Sequence, residues 1–252
     1  MHSLEPAVTG LRRALAIGLA AALLGVAPAW AEQAPEIPRF STAQAGGPPP
    51  GWQHNPLASF KGNTEYKLVA EEGTVVLRAT SRNAASYLGL HTSFDPHRFS
   101  VLAWRWKIVQ GIPDADTGDR RKEDAPARLM VSFDGDTSKL SLRDRATAST
   151  ARTISGQALP YAELMYIWGS KVGVDSITTS THTSRIKMIA VATDESGVGR
   201  WHNYTRNLVE DYKRAFGEEP GNVTAIEIMT DTDNTGGSAE ALYGDISVQP
   251  KP

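Results

Sequence analysis

The ten residues Ser100–Val109 (SVLAWRWKIV) alternate with a period of two: Leu102, Trp104, Trp106 and Ile108 point one way, Arg105 and Lys107 the other. Residues two apart share a face only in an extended strand, so this stretch must lay one side against an apolar interior. Ala127–Phe133 repeats the pattern, with Ala127, Leu129, Val131 and Phe133 opposite Arg128 and Ser132. Thr64–Ala70 and Thr74–Thr80, separated by Glu71-Glu72-Gly73, read as a hairpin. Ser86–His91, Ala162–Trp168, Arg185–Thr193, Val223–Asp231 and Ala241–Val248 bring the expected strands to about nine. Helical spacing is clear only where Leu208, Val209, Tyr212, Ala215 and Phe216 recur before Gly217; Lys139–Ala148 is a weaker helix. Strands that do not alternate with helices disfavour a parallel α/β sheet. The expected fold is all-β: an antiparallel two-sheet sandwich of the jelly-roll kind, with one or two short helices.

The start of the chain follows a different logic. Arg12-Arg13 precede an uncharged apolar run, Ala14 to Ala29, and then Ala29-Trp30-Ala31 and Glu32. A basic start, an apolar stretch and an Ala-x-Ala end are the parts of a Sec-type signal peptide. The run is shorter than the ~20 residues a helix needs to cross hydrocarbon. The expectation is a leader over residues 1–31, cleaved after Ala31, and a periplasmic or secreted product without a transmembrane segment. Residues 32–51, which include Gly46-Gly47-Pro48-Pro49-Pro50, read as a Pro/Gly-rich linker. Residues 52–249 then form a single β-sandwich domain, long enough for one core.

Composition removes several function classes. The chain has no cysteine, which excludes disulfide scaffolds, cysteine-ligated metals and thiol catalysis. A formal net charge of −2 argues against a nucleic-acid partner held by bulk positive potential. The chain contains no G-x-S-x-G, H-E-x-x-H, G-x-x-x-x-G-K-[ST] or G-x-G-x-x-G motif. No residue type or pattern assigns an oligomeric state.

Several dispersed motifs occur together: Trp104–Lys107 (WRWK), Lys122–Arg128 (KEDAPAR), Tyr166-Ile167-Trp168, and the long ending from Trp201 to Val248. In this order they resemble the bacterial secreted family of domain-of-unknown-function 3047, over roughly Trp52 to Val248. The closing Tyr243-Gly244-Asp245-Ile246 is more distantly similar to galactose-binding-like and carbohydrate-binding jelly rolls. That likeness implies a fold and no activity.

Candidate binding residues come from the polar sides of the strands. Arg105, Lys107, Arg128, Lys187, Glu227 and Asp231 each stand on an otherwise apolar strand. If those strands are neighbours, their charges share one surface. That surface is either a groove for a saccharide or anionic ligand, or a solvated face laced with ion pairs. Asp124, four residues before Arg128, is placed to pair with it. Trp168, at a strand end before Gly169-Ser170, is the aromatic best placed to face a ligand, whereas Trp104 and Trp106 belong to the apolar face.

Asp231-Thr232-Asp233-Asn234-Thr235-Gly236 matches the front half of a calcium loop, with Asp231, Asp233 and Thr235 as ligands. Leu242 stands where the bidentate Glu should be. The same segment also reads as an Asx-rich turn. No other cofactor is expected. The leading functional expectation is an exported, non-catalytic module binding a small molecule or glycan, a saccharide or other polar envelope ligand, on the charged sheet face. One alternative is a sandwich-fold glycoside hydrolase or lyase using Glu227 and Asp231, with Asp245 nearby, which requires carboxyl groups ~5–9.5 Å apart. Another is a structural envelope protein with a calcium site.

Overall fold

A computed structural model describes residue 2, residues 34–156 and residues 158–251. The chain divides into two units, Met1–Gln33 and Ala34–Pro252. The expected leader falls in the first and, His2 apart, lies outside the described residues.

In the second unit the elements are β1 (Gln53–Pro56), β2 (Glu65–Glu71), β3 (Thr74–Arg82), β4 (Ser86–Phe94), β5 (Val101–Gln110), β6 (Arg128–Phe133) and α1 (Leu142–Ser155). They continue with β7 (Ala162–Gly169), β8 (Ile177–Thr179), β9 (Ile186–Thr193), β10 (Trp201–Asn207), α2 (Leu208–Phe216), β11 (Val223–Met229), β12 (Ser238–Tyr243) and β13 (Ser247–Gln249). A seven-stranded sheet has the order β1-β4-β11-β6-β7-β9-β8; a six-stranded sheet has β10-β5-β12-β3-β2, with β13 also pairing β5. The fold is the expected two-sheet β-sandwich. Among the described residues no helix is long and apolar enough to cross a membrane.

Period-two patterning explains how the sheets close on each other. Trp104, Trp106 and Ile108 of β5 enter one core with Leu129, Val131 and Phe133 of β6, Leu164 and Tyr166 of β7, and Ile226 and Ile228 of β11. Trp104 lies 5.0 Å from Tyr166 across the two sheets, ring centroid to centroid. Burying each such side chain contributes on the order of 1.5–3 kcal/mol. The β2–β3 hairpin closes at Glu72-Gly73, both with positive φ (49° and 81°). That is the backbone twist a two-residue hairpin loop demands.

Three features depart from expectation. β7 pairs with β9 in parallel, because the 170–185 crossover carries β8, which then pairs antiparallel on the far side of β9. The expected last strand, Ala241–Val248, breaks into β12 and β13 around residues 244–246. The supposed linker is not a loose arm after Ala34. Ile37 and Phe40 are buried, and Phe40 packs 5.6 Å from Trp52. Gly46 N donates to Leu68 O while Leu68 N donates to Gly47 O, so this segment extends the edge beside β2. Two apolar anchors and two backbone hydrogen bonds override the Pro/Gly composition.

Both helices are capped from their own sequence. The Asn207 side chain accepts from Val209 N and Glu210 N, and Gly217 ends α2 with φ 72°. Ser141 Oγ accepts from Asp144 N at the start of α1.

Candidate functional site

The common charged wall does not form, because period two sets the face of a strand and not the sheet to which it belongs. Arg105 and Lys107 lie on β5 of the six-stranded sheet, Arg128 and Glu227 on β6 and β11 of the other. Each pair faces away from the shared core, on opposite sides of the sandwich. Lys107 Nζ pairs with Glu71 and Glu72, and Arg105 stacks 4.5 Å from the Trp201 ring. Lys187 donates to Thr179 Oγ1 near the β8–β9 edge. Trp168 does not face a ligand. It is fully buried, and its Nε1 donates to Asp194 at 2.8 Å.

Arg128 and Asp231 form a buried bidentate pair, Nε to Oδ1 at 2.8 Å and Nη2 to Oδ2 at 3.0 Å. Arg128 Nη2 also donates to the Glu123 carbonyl, and Asp231 Oδ1 accepts from Ala125 N. Burial pushes the Asp231 carboxyl above the ordinary aspartate value in spite of the guanidinium beside it. The expected Asp124–Arg128 pair is therefore replaced by Arg128–Asp231. Asp124 instead caps the turn after β11, accepting from Asn234 N, Thr235 N and Thr235 Oγ1. Asp231, the expected hydrolytic partner of Glu227, is thus held in a buried ion pair by Arg128. Asp245 is not that partner either: it follows β12 and holds Ser41 by its backbone N and its hydroxyl.

The outer face of the seven-stranded sheet carries an open cleft of about 1340 Å³. Its floor is the second face of the central strands: Arg128, Met130 and Ser132 of β6, Glu163 and Met165 of β7, Ile186 and Met188 of β9, and Glu227 and Met229 of β11. Tyr87 of β4 and Leu57 continue the floor, and α1 supplies a wall through Ala146, Thr147, Thr150 and Ile154. Asp144 tethers that wall, accepting from Thr183 Oγ1 at 2.7 Å and from Ser184 N and Oγ at 2.9 and 2.8 Å. Burial alone would raise the Asp144 carboxyl, but these bonds and Ser141 hold it well below the usual aspartate range. At the mouth, His182 Nε2 lies 3.3 Å from Glu123.

At the centre of the floor stands a pair that the sequence reading lacked. Residue 132 of β6 is in register with Glu163 of β7 and with Ala225 of β11, which sets Ser132 between Glu163 and Glu227. Ser132 Oγ lies 3.1 Å from Glu227 Oε2 and 3.4 Å from Glu163 Oε2. The two carboxyl groups thus share the Ser132 hydroxyl, which lies between them. Burial pushes Glu227 up to about 7, held from going higher by hydrogen bonds from Ser132 and Glu163. Glu163 is raised well above the ordinary value, first by burial and then by the Glu227 charge. Burial, and after it the neighbouring Glu227 and Glu163 carboxyl groups, raises the Tyr87 hydroxyl as well. The dyad sets carboxyl oxygens and one hydroxyl side by side on the cleft floor. Its signal was the second face of Ala162–Trp168, where Glu163 and Met165 alternate with Leu164 and Tyr166.

The predicted calcium ligands are brought together only in part. Carboxylate oxygens of Asp124, Asp231 and Asp233 lie within 4.8 Å of one another. Thr235, in contrast, is a hydrogen-bond donor to Asp124. Two of the three acids already have cations: Arg128 on Asp231 and Lys61 on Asp233. Protein cations thus offset the charge that a divalent ion would otherwise have to balance, which favours the turn reading. Chelation with EDTA, or addition of calcium, is expected to leave the melting temperature unchanged; a shift of several degrees on chelation would restore the metal reading.

The sequence profile of the family described as "Protein of unknown function (DUF3047)" matches residues 50–247. No curated protein matches the sequence. Among solved structures, the chain is similar to TmCBM61 bound to β-1,4-galactotriose: 12% identity, 85% of this chain and 95% of that one, TM-score 0.35. It is also similar to the family 30 carbohydrate-binding module of the Clostridium thermocellum cellulosomal cellulase Cel9D-Cel44B: 9% identity, 85% and 97% coverage, TM-score 0.38. For the carbohydrate recognition domain of Emp47p the values are 12% identity, 87% and 98% coverage, and TM-score 0.43. Likeness at this level does not extend to ligand or chemistry.

Proposed function

We propose that this chain, which belongs to the DUF3047 family, is an exported, non-catalytic binding module that takes a saccharide in the cleft above Glu163 and Glu227. The observation that carries this reading is the Glu163–Ser132–Glu227 row on the floor of an open 1340 Å³ cleft. Two carboxyl groups and a hydroxyl gather polar hydrogen-bonding atoms within one sugar-sized patch. Such a patch suits the mixed donor and acceptor character of sugar hydroxyls. Hydrogen bonds to a charged partner are worth roughly 1.5–3 kcal/mol each.

The same geometry disfavours the glycosidase alternative. That alternative pairs Glu227 with Asp231, and Asp231 is held in a buried bidentate pair by Arg128 while Glu227 is bonded to Ser132. Screening on a glycan array, followed by titration of the hits, tests the site. The Glu163→Ala/Glu227→Ala double variant is expected to lose at least tenfold in affinity, and Arg105→Ala on the opposite sheet to lose none. Equal binding by the double variant, or loss with Arg105→Ala, overturns the assignment.

Export rests on the pattern Arg12-Arg13, the apolar run and Ala29-Trp30-Ala31. Sequencing the N-terminus of protein recovered from a Gram-negative periplasm or medium is expected to begin at Glu32. An intact Met1 on the recovered protein contradicts it.

A further inference from the structure

We infer that the saccharide taken by this cleft carries an alkyl or acyl chain, which lies along a methionine floor beside the carboxyl dyad; this rests on the binding reading above. The chain contains five methionines. Met1 apart, all of them, Met130, Met165, Met188 and Met229, line this one cleft. They come from four different strands, β6, β7, β9 and β11, each on the face turned away from the sandwich core. Core positions on the same strands are filled by Leu, Ile, Val and aromatic residues instead. Thioether side chains are flexible and polarizable, and they adapt to apolar ligands that lack a fixed shape. Leu57 and Tyr87 extend the surface.

A bare sugar gains its apolar contact by lying flat on aromatic rings. This floor offers one phenol ring, that of Tyr87, and among the described residues no tryptophan lines it. Trp52, Trp104, Trp106 and Trp168 are buried, and Trp201 lies under Arg105 on the other sheet. The cleft volume of about 1340 Å³ also exceeds the ~300–1,000 Å³ usual for a compact small ligand. Met130, Met188 and Met229 are 4%, 3% and 7% exposed and form the layer beneath, so a head group on the dyad leaves half-buried Met165 with Leu57, Ile186 and exposed Ile154 as the apolar surface that a flexible chain would cover.

Calorimetric titration with three probes, each below its micelle-forming or solubility limit, tests this: n-octyl β-D-glucoside, methyl β-D-glucoside and 1-octanol. Each buried methylene strengthens binding about fourfold. The octyl glycoside is therefore expected to bind at least ~100-fold tighter than the methyl glycoside. It should also bind more tightly than 1-octanol, which lacks the ring hydroxyls. Met165→Gln, at a half-buried position, is expected to lower affinity for the octyl glycoside at least threefold more than affinity for the methyl glycoside. Equal affinity for the two glycosides overturns the chain while leaving the saccharide site standing. Equal affinity for the octyl glycoside and octanol overturns the saccharide head. Absence of binding by all three overturns both.

Discussion

Arg128→Ala is expected to cost about 3–5 kcal/mol of folding stability, a large part of the ~5–15 kcal/mol typical of a domain. Arg128 is 5% exposed and Asp231 4%. Removing Arg128 strands a buried charge whose remaining donor is Ala125 N. It also leaves the Glu123 carbonyl without its donor and removes one of the ties between the loop before β6 and the end of β11, where the Asp124 hydrogen bonds remain. A double variant, Arg128→Met/Asp231→Asn, removes both charges and keeps an acceptor for Ala125 N, so it should recover more than half of the loss. Urea unfolding of the two variants measures both quantities. If Arg128→Ala unfolds like the parent protein, the pair is not the structural clamp described above.

The second large effect is pH-dependent. Glu227 has a folded-state value of about 7 against the usual 4.5. Between those two values the folded protein holds a proton that the unfolded chain has released. The stability this supplies is therefore fully present below pH ~4.5 and is lost as pH rises through ~7, amounting to about 3 kcal/mol over the window. Glu227→Gln keeps an acceptor for Ser132 and Glu163 but cannot ionise. At pH 8 it should be more stable than the parent by about 2–3 kcal/mol, and at pH 5 by less than ~1 kcal/mol. Denaturant unfolding at the two pH values decides this. A constant difference, or a variant less stable at pH 8, would mean that Glu227 is solvated and ionised in the native protein.

How much of this was legible in the residues depends on the kind of question asked. Alternation identified β5, β6 and β7 and the face of each that enters the core, because one-sided burial requires it. The β2–β3 turn and the α2 cap were readable because Gly73, Asn207 and Gly217 meet local backbone needs. The three-residue β8 and the four-residue β1 are too short for a period to show, and β10 (WHNYTRN) is polar on both faces. The α1 helix runs on to Ser155 through a Ser/Thr/Arg-rich segment held at its first turn by Asp144, a tertiary contact that local spacing does not contain.

The site was half readable for the same reason. Glu227, Arg128 and Asp231 stood out as charges on apolar strands, yet nothing local told which sheet Arg105 and Lys107 would join. Strand order arises from long-range pairing, here β6 between β11 and β7. Glu163 and Ser132 were available from the same alternation that revealed their neighbours. What distinguished that face was a methionine on each of the four central strands. Reading the second faces together, and not charge by charge, would have found the cleft floor.

The most direct test of the central claim, that ligand sits over the seven-stranded sheet on the Glu163–Glu227 floor, is one NMR titration of protein labelled with methyl-13C methionine and 15N tryptophan. Methyl signals of Met130, Met165, Met188 and Met229 report the cleft, and the Trp201 indole reports the opposite face. With n-octyl β-D-glucoside as probe, the four methyl signals are expected to move while the Trp201 indole stays still. Movement of the Trp201 signal with static methionine methyls would place binding on the Arg105 side and contradict the account.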